Sequence, residues 1–265
     1  HAVGGTLIAL LLGPYAACIA ISVALFIQAI IFGDGGILSF GANCFNIAFI
    51  LPFTGFFIYK ILNKIHLSPF YHKCTIFLSA YISINLAAFF TALELGIQPL
   101  LFVDNLGQPL YCPYPLWISI PAMALSHLTI AGIAEGLFTL SLYLFILKTS
   151  PNIIYDCQQI KLNSIFSLLA FLIIISPLGL IAEGTAWGEW APEEILNDTS
   201  SGVPLGFIPE KLLNGFNYEA FFPDYTMSGT TDILAYIASA IIGVALLIII
   251  FKILGSIIYA KKQSL

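Results

Sequence analysis

An all-α fold, a polytopic transmembrane helical bundle, is predicted by three observations. Of 265 residues, 59% are apolar and only 9% are charged, against about 25% charged in soluble domains. The charges are also segregated, with none in 2–33, 35–59, 74–93, 105–134, 162–182 or 233–251. Uncharged apolar runs of that length are membrane spans. Finally, nine lysines without arginine face fourteen acids, a net charge of −5, so nucleic-acid binding has no electrostatic footprint. The same composition excludes disorder, collagen-like repeats and a small disulfide scaffold.

The elements follow in order, about seven helices in all. Residues 2–12 come first. Eleven residues rise only about 17 Å, short of the roughly 30 Å hydrocarbon core. This helix is therefore either the end of a longer one or a helix that starts in the middle of the membrane. His1 rather than Met opens the chain, with no basic leader or cleavage pattern, and reads as the start of a fragment. Gly13-Pro14 turns the chain into 15–32, followed by 40–60, 74–94, 116–147, 162–181 and 233–259. Pro192, Pro204, Pro209 and Pro223 forbid one long helix in 183–232, which reads as a small external cap. Trp187 and Trp190 suit an anchor at headgroup level. The domain division expected is 1–182 for the membrane core and 183–265 for the external segment with the last helix.

Lysine placement gives the orientation. Lys60, Lys64 and Lys73 share one loop, Lys148 and Lys161 another, and Lys252, Lys261 and Lys262 the tail. Alternate loops hold Asp34, or Glu94 and Asp104, and segment 183–232 has nine acids and only Lys211. Lysine-bearing loops are cytoplasmic. The chain is expected as a multi-pass protein of the cell membrane with a cytoplasmic carboxyl terminus.

Small residues recur every four positions at Gly5, Ala9 and Gly13, at Ala16, Ala20 and Ala24, and at Ala235, Ser239 and Gly243, with Gly132 and Gly136 as a further pair. Such stripes let backbones approach closely in lipid. Internal packing is the expected use, and a docking surface for a partner membrane protein the other.

Polar residues inside spans are costly and often functional. Gln28, Asp34, Asn43 and Asn46 gather near one outer face, with Asn43 and Asn46 three apart on one side of a helix. His127 and Glu135, eight apart, share a face of the fifth helix. For both, bundle hydrogen bonding stands beside any functional role. Gly-Lys, HExxH, GxSxG and CxxC are all absent, which excludes a Walker A loop and the common hydrolase and redox motifs. The five cysteines, Cys18, Cys44, Cys74, Cys112 and Cys157, are at least 26 apart and read as small apolar fillers.

The pieces HAVGG, LLGP, QAIIFGDGG and GANCFN of residues 1–49 resemble the CbiM/NikM family, in order and spacing. These are the substrate-capture components of energy-coupling-factor cobalt and nickel transporters. The resemblance continues through SHLTIAGIAEGLFT (126–139) and SPLGLIAEGTAWGEW (176–190). IPEKL and FFPDYTMSG (208–229) resemble the PDGLE-type extension fused to some members. The resemblance implies that His1 ligates the divalent ion. The remaining ligands are implied to come from a methionine-histidine amino terminus, which lies ahead of the present residues. Asp34, Asn43 and Asn46 are the candidates for orienting that ligating loop. Co²⁺ and Ni²⁺ favour nitrogen donors, and a neutral imidazole ligand implies weaker binding as pH falls through the histidine range.

The resemblance also implies partners: a transmembrane coupling subunit and two ATP-binding subunits, with membrane lipids around them. The ion is the substrate, Co²⁺ or Ni²⁺, and no cofactor is implied. The chain is expected to be a transporter subunit and not an enzyme. The alternative is a stand-alone proton-coupled secondary transporter or channel using His127 and Glu135. In the coupling-factor reading Glu135 is structural, so Glu135→Gln is expected to spare transport.

Overall fold

Gly4 adopts a left-handed conformation, φ 65°, so no helix continues back through it. The first helix, α1, runs Gly5–Leu12. Gly13, at φ 84° and ψ 158°, ends it, and Pro14 opens the next, where its missing N–H costs nothing. The short first element is thus a helix that starts inside the bundle. The computed structural model describes residues 3–65, 68–153, 162–181, 186–216 and 218–263.

Six further helices are long and apolar enough to cross a membrane among the described residues: Pro14–Phe32 (α2), Phe40–Leu62 (α3), Pro69–Leu101 (α4), Leu116–Thr149 (α5), Asn163–Ile181 (α6) and Asp232–Tyr259, which continues to Gln263 (α7). The expected helices are all present, but α4 is 33 residues long where charge placement suggested 74–94. Lys73 and Glu94 mark where its flanks meet polar surroundings, and the helix itself continues. Ser68 caps its start, accepting a hydrogen bond from the Tyr71 N–H at 3.2 Å, with Pro69 in the first turn.

α4 is the hub. It packs along α5, against the second half of α3 and against α1, and 44% of its most apolar stretch is buried, the largest share of any span. None of the corresponding stretch of α6 is buried, and α6 packs on α7. The core lies around α1, where Leu7 and Leu10 meet Ile76 and Tyr143, and Ala9 meets Ala17, Ile21 and Ala48.

Lipid offers no hydrophobic drive for helix association, so close packing must supply it. Gly5 faces Leu51, Gly55 faces Thr6, and Gly136 faces the Phe77 ring. The Gly5 stripe and the Ala235–Ser239 pair are internal, as expected, with Ala9, Ala235 and Ser239 all buried. Ala16 is exposed. A side chain at Gly96 would lie 2.3 Å from Ser119 Oγ and 2.9 Å from Leu116 Cα. Gly96→Ala is therefore expected to destabilise the α4–α5 contact by about 1–3 kcal/mol, read as a lowered Tm. Gly255→Ala, with open space around it, should leave Tm unchanged.

Segment 183–232 forms single helical turns at Pro192–Asn197 and Glu210–Leu213. The tryptophans expected at headgroup level turn onto Tyr114, just ahead of the α5 span. The Trp187 and Trp190 rings lie 5.0 Å apart and 5.9 and 5.5 Å from Tyr114. Trp187 Nε1 donates to Ser200 Oγ at 2.8 Å, and the Tyr114 hydroxyl meets Asp198. A buried indole N–H normally finds such a partner. Trp187 also packs against Ala88, Ala92 and Met123, so these contacts seat the segment on α4 and α5.

Candidate metal centre

Residue Glu135 sits on α5, midway between Leu116 and Thr149, and is 3% exposed. Its Oε2 accepts the Val3 N–H and its Oε1 the Gly4 N–H, both at 2.9 Å. One carboxylate thus grips two successive amides ahead of α1. Thr139, one turn on, faces the same carboxyl. Charge-assisted bonds of this kind are stronger than neutral ones, and a buried carboxylate needs them. His1, the expected ion ligand, lies two residues before Val3 and outside the described residues.

Of the three residues expected to support it, Asp34 is held most firmly. Its Oδ2 accepts from Gln28 Nε2 at 2.6 Å and from the Tyr225 hydroxyl at 2.5 Å. Burial, and then the neighbouring Asp34, push the Tyr225 hydroxyl well above its ordinary range. Asn43 Nδ2 donates to the Gly35 carbonyl at 2.9 Å, bracing the same loop. Asn46, in contrast, donates to Glu94 Oε2 at 2.7 Å, and its Oδ1 has no partner among the described residues. Asn43 and Asn46 therefore serve different neighbours.

Segment 183–232 packs against the end of α2 that leads into this loop. The Phe222 N–H donates to the Ile31 carbonyl at 2.9 Å and the Tyr218 hydroxyl to that of Ile30 at 3.2 Å. Tyr225 stacks on Phe32 at 4.9 Å. Asp224 and Tyr225 have φ of 50° and 60°, a conformation costing non-glycine residues about 1–3 kcal/mol each, which the surrounding contacts must offset. Glu189 is exposed as a residue, yet its carboxyl is crowded. Desolvation first, and then the Asp34 charge, push its pKa up.

His127 and Glu135 are not joined. His127 Nδ1 lies 2.9 Å from the carbonyl of Met123 and 3.1 Å from Ser126 Oγ, within its own helix. A π-helical turn, His127–Ala131, intervenes. Two more π-helical stretches occur at Gln28–Phe32 and Cys44–Ile50, the latter leading to Pro52, which has no N–H for the Ala48 carbonyl. All three fall in the motif stretches singled out above, and π turns concentrate at functional sites.

No group of three histidine, cysteine or acidic side chains converges among the described residues. Burial pushes the Cys112 thiol up to about 11, and Cys112 belongs to no such group. Sequence reasoning missed the Val3–Gly4 clamp, the Asn46–Glu94 pair and the Tyr225–Asp34 bond. For Glu135 the signal was an acid at mid-span.

Comparison with known proteins bears on this arrangement. Residues 1–153 match the family model CbiM, described as the cobalt uptake substrate-specific transmembrane region, and residues 162–260 match the PDGLE domain. The boundary drawn from the sequence at 182/183 falls inside the second match. The chain is 42% identical over 253 residues to a Lactiplantibacillus plantarum protein named probable fused nickel transport protein LarMN, covering 95% of this chain and 76% of that one. It is 39% identical over 264 residues to the fused nickel transport protein NikMN of Rhodobacter capsulatus, covering 94% and 76%. A crystal structure of a truncated transition metal transporter is similar at 50% identity and a TM-score of 0.53, over 56% of this chain and 68% of that one. The chain therefore belongs to the CbiM family, with a PDGLE domain following the CbiM region.

Proposed function

We propose that this chain is the substrate-binding membrane component of an importer for Ni²⁺ or Co²⁺. It captures the ion at the outer face and passes it inward. Two ATP-binding subunits, acting through a transmembrane coupling subunit, supply the energy, and the chain itself performs no covalent chemistry. The observation that carries this reading is the Glu135 grip on Val3 and Gly4. It fixes Val3 and Gly4 of the H-x-x-G-G run inside the bundle, two and three residues after His1, the proposed ligand. Ligands held by such outside hydrogen bonds bind metals more tightly. The naming of the fused relatives as nickel transport proteins supports the same substrate.

The test of energy coupling is purification followed by reconstitution. The complete complex should retain ATP-binding partners and take up Ni²⁺ or Co²⁺ only with ATP. Uptake by the chain alone in liposomes under a proton gradient would establish the secondary-transporter alternative.

The proposed orientation places Lys60–Lys73 and Lys148–Lys161 in the cytoplasm, 183–232 outside and the carboxyl terminus inside. A cysteine placed at Ser68, after removal of the native cysteines, should resist an impermeant label in intact cells and react after lysis. Labelling from outside would reverse the topology.

A further inference from the structure

At the junction of α1 and α2 a cavity of about 650 Å³ opens on the surface, walled by Leu12, Tyr15, Phe53 and Phe57 and edged by Lys60. Leu12, Tyr15 and Phe57 are 50%, 77% and 63% exposed. Leu12, Tyr15 and Phe57 are thus not covered by another described part of the chain. α3 spans 23 residues, about 34 Å of rise, which matches the hydrocarbon core. Lys60, two residues before its end, therefore stands at headgroup level, while Phe57 and Phe53, one and two turns earlier, stand among the acyl chains.

The charge at the rim has no carboxylate partner among the described residues. No Asp or Glu occurs anywhere in residues 35–93, and Lys64 and Lys73 add to the same end. The Lys60 ammonium lies 4.8 Å from the centre of the Phe56 ring, a contact that holds the cation against the groove wall.

We propose that this groove is a binding site for an anionic phospholipid. The acyl chain lies against Leu12, Phe53 and Phe57, and the phosphate is held by Lys60. An uncharged apolar partner would fill the walls but leave the lysine unmatched. A transmembrane helix, about 10 Å across, would gain only about a turn and a half of contact in 650 Å³, whereas a single acyl chain is narrow enough to lie in a groove of this size with its phosphate at the rim. Basic pockets between membrane helices recognise anionic headgroups by this combination. Leu12 and Gly13 form the end of α1, so the lipid braces the helix at the end opposite the Glu135 grip. The site depends on membrane insertion and not on which ion is carried.

Native mass spectrometry of the full-length protein, exposed to equal amounts of phosphatidylglycerol and phosphatidylcholine with the same acyl chains, tests this. Phosphatidylglycerol should be retained with a preference of about fivefold, the effect of one lysine at an anionic surface. Lys60→Gln should abolish the preference, Lys60→Arg should keep it, and Leu12→Trp should lower retention of both lipids by filling the groove. Lys252→Gln, on α7, is the control and should change nothing. Equal retention of the two lipids by the parent protein, or a preference untouched by Lys60→Gln, would overturn the assignment. So would an efficient cross-link from a cysteine at Ala16 to a transmembrane segment of another subunit.

Discussion

His1→Ala, made in the full-length protein, is expected to lower Ni²⁺ and Co²⁺ affinity by on the order of 100-fold or more. Metal sites of four ligands bind with roughly 10–16 kcal/mol in total, so one nitrogen donor accounts for about 3 kcal/mol. The remaining donors cannot compensate, because Ni²⁺ accepts a tetragonal nitrogen set and a lost corner is replaced only by water. The fold should survive, since Val3 and Gly4 keep their own bonds to Glu135. Titration calorimetry measures the affinity, and size-exclusion behaviour checks the fold. An unchanged Kd would remove His1 from the ligand set.

Glu135→Gln is expected to weaken ion binding by about 10–100-fold, the usual cost of losing a group that orients a ligand. The expectation from sequence was tolerance, because glutamine keeps the shape and the transport energy comes from elsewhere. The geometry reverses that expectation. Two N–H groups converge on two carboxylate oxygens at 2.9 Å each. An amide offers one oxygen and turns an NH₂ towards the second donor, so one bond is lost and a buried N–H is left unmatched. That costs about 1–3 kcal/mol. Glu135→Ala should lose both bonds and bind more weakly still. The effect should appear in Kd, with no new dependence of uptake on a proton gradient. Uptake by the parent protein that collapses with the proton gradient, and is lost in Glu135→Gln at unchanged Kd, would instead make the residue a coupling acid.

The fold was legible because charge is so scarce. With 9% charged residues, the lysines and acids, Glu135 apart, lie towards the span ends or between spans, and the spans follow. Helix ends were less legible, since a helix continues past the last lipid-facing residue into polar surroundings, as α4 does at Pro69 and Leu101. The partners of the tryptophans were not legible for a related reason. Trp187 and Trp190 suit an interface by composition, and only the tertiary structure brings Tyr114 and Ser200 to them.

By itself the sequence determined that this is an all-helical membrane protein, where its spans lie and, through its motifs, which family it resembles. Hydrophobic length and local turn chemistry suffice for that, because each acts within a few residues. The tertiary structure decided what the polar residues do. Glu135 reaches Val3 and Gly4 across 132 and 131 positions, and Tyr225 reaches Asp34 across 191. Asn43 and Asn46, three apart, serve different partners. Local sequence fixes that a buried polar group must be satisfied, but the partner is whichever donor helix packing brings within 3 Å.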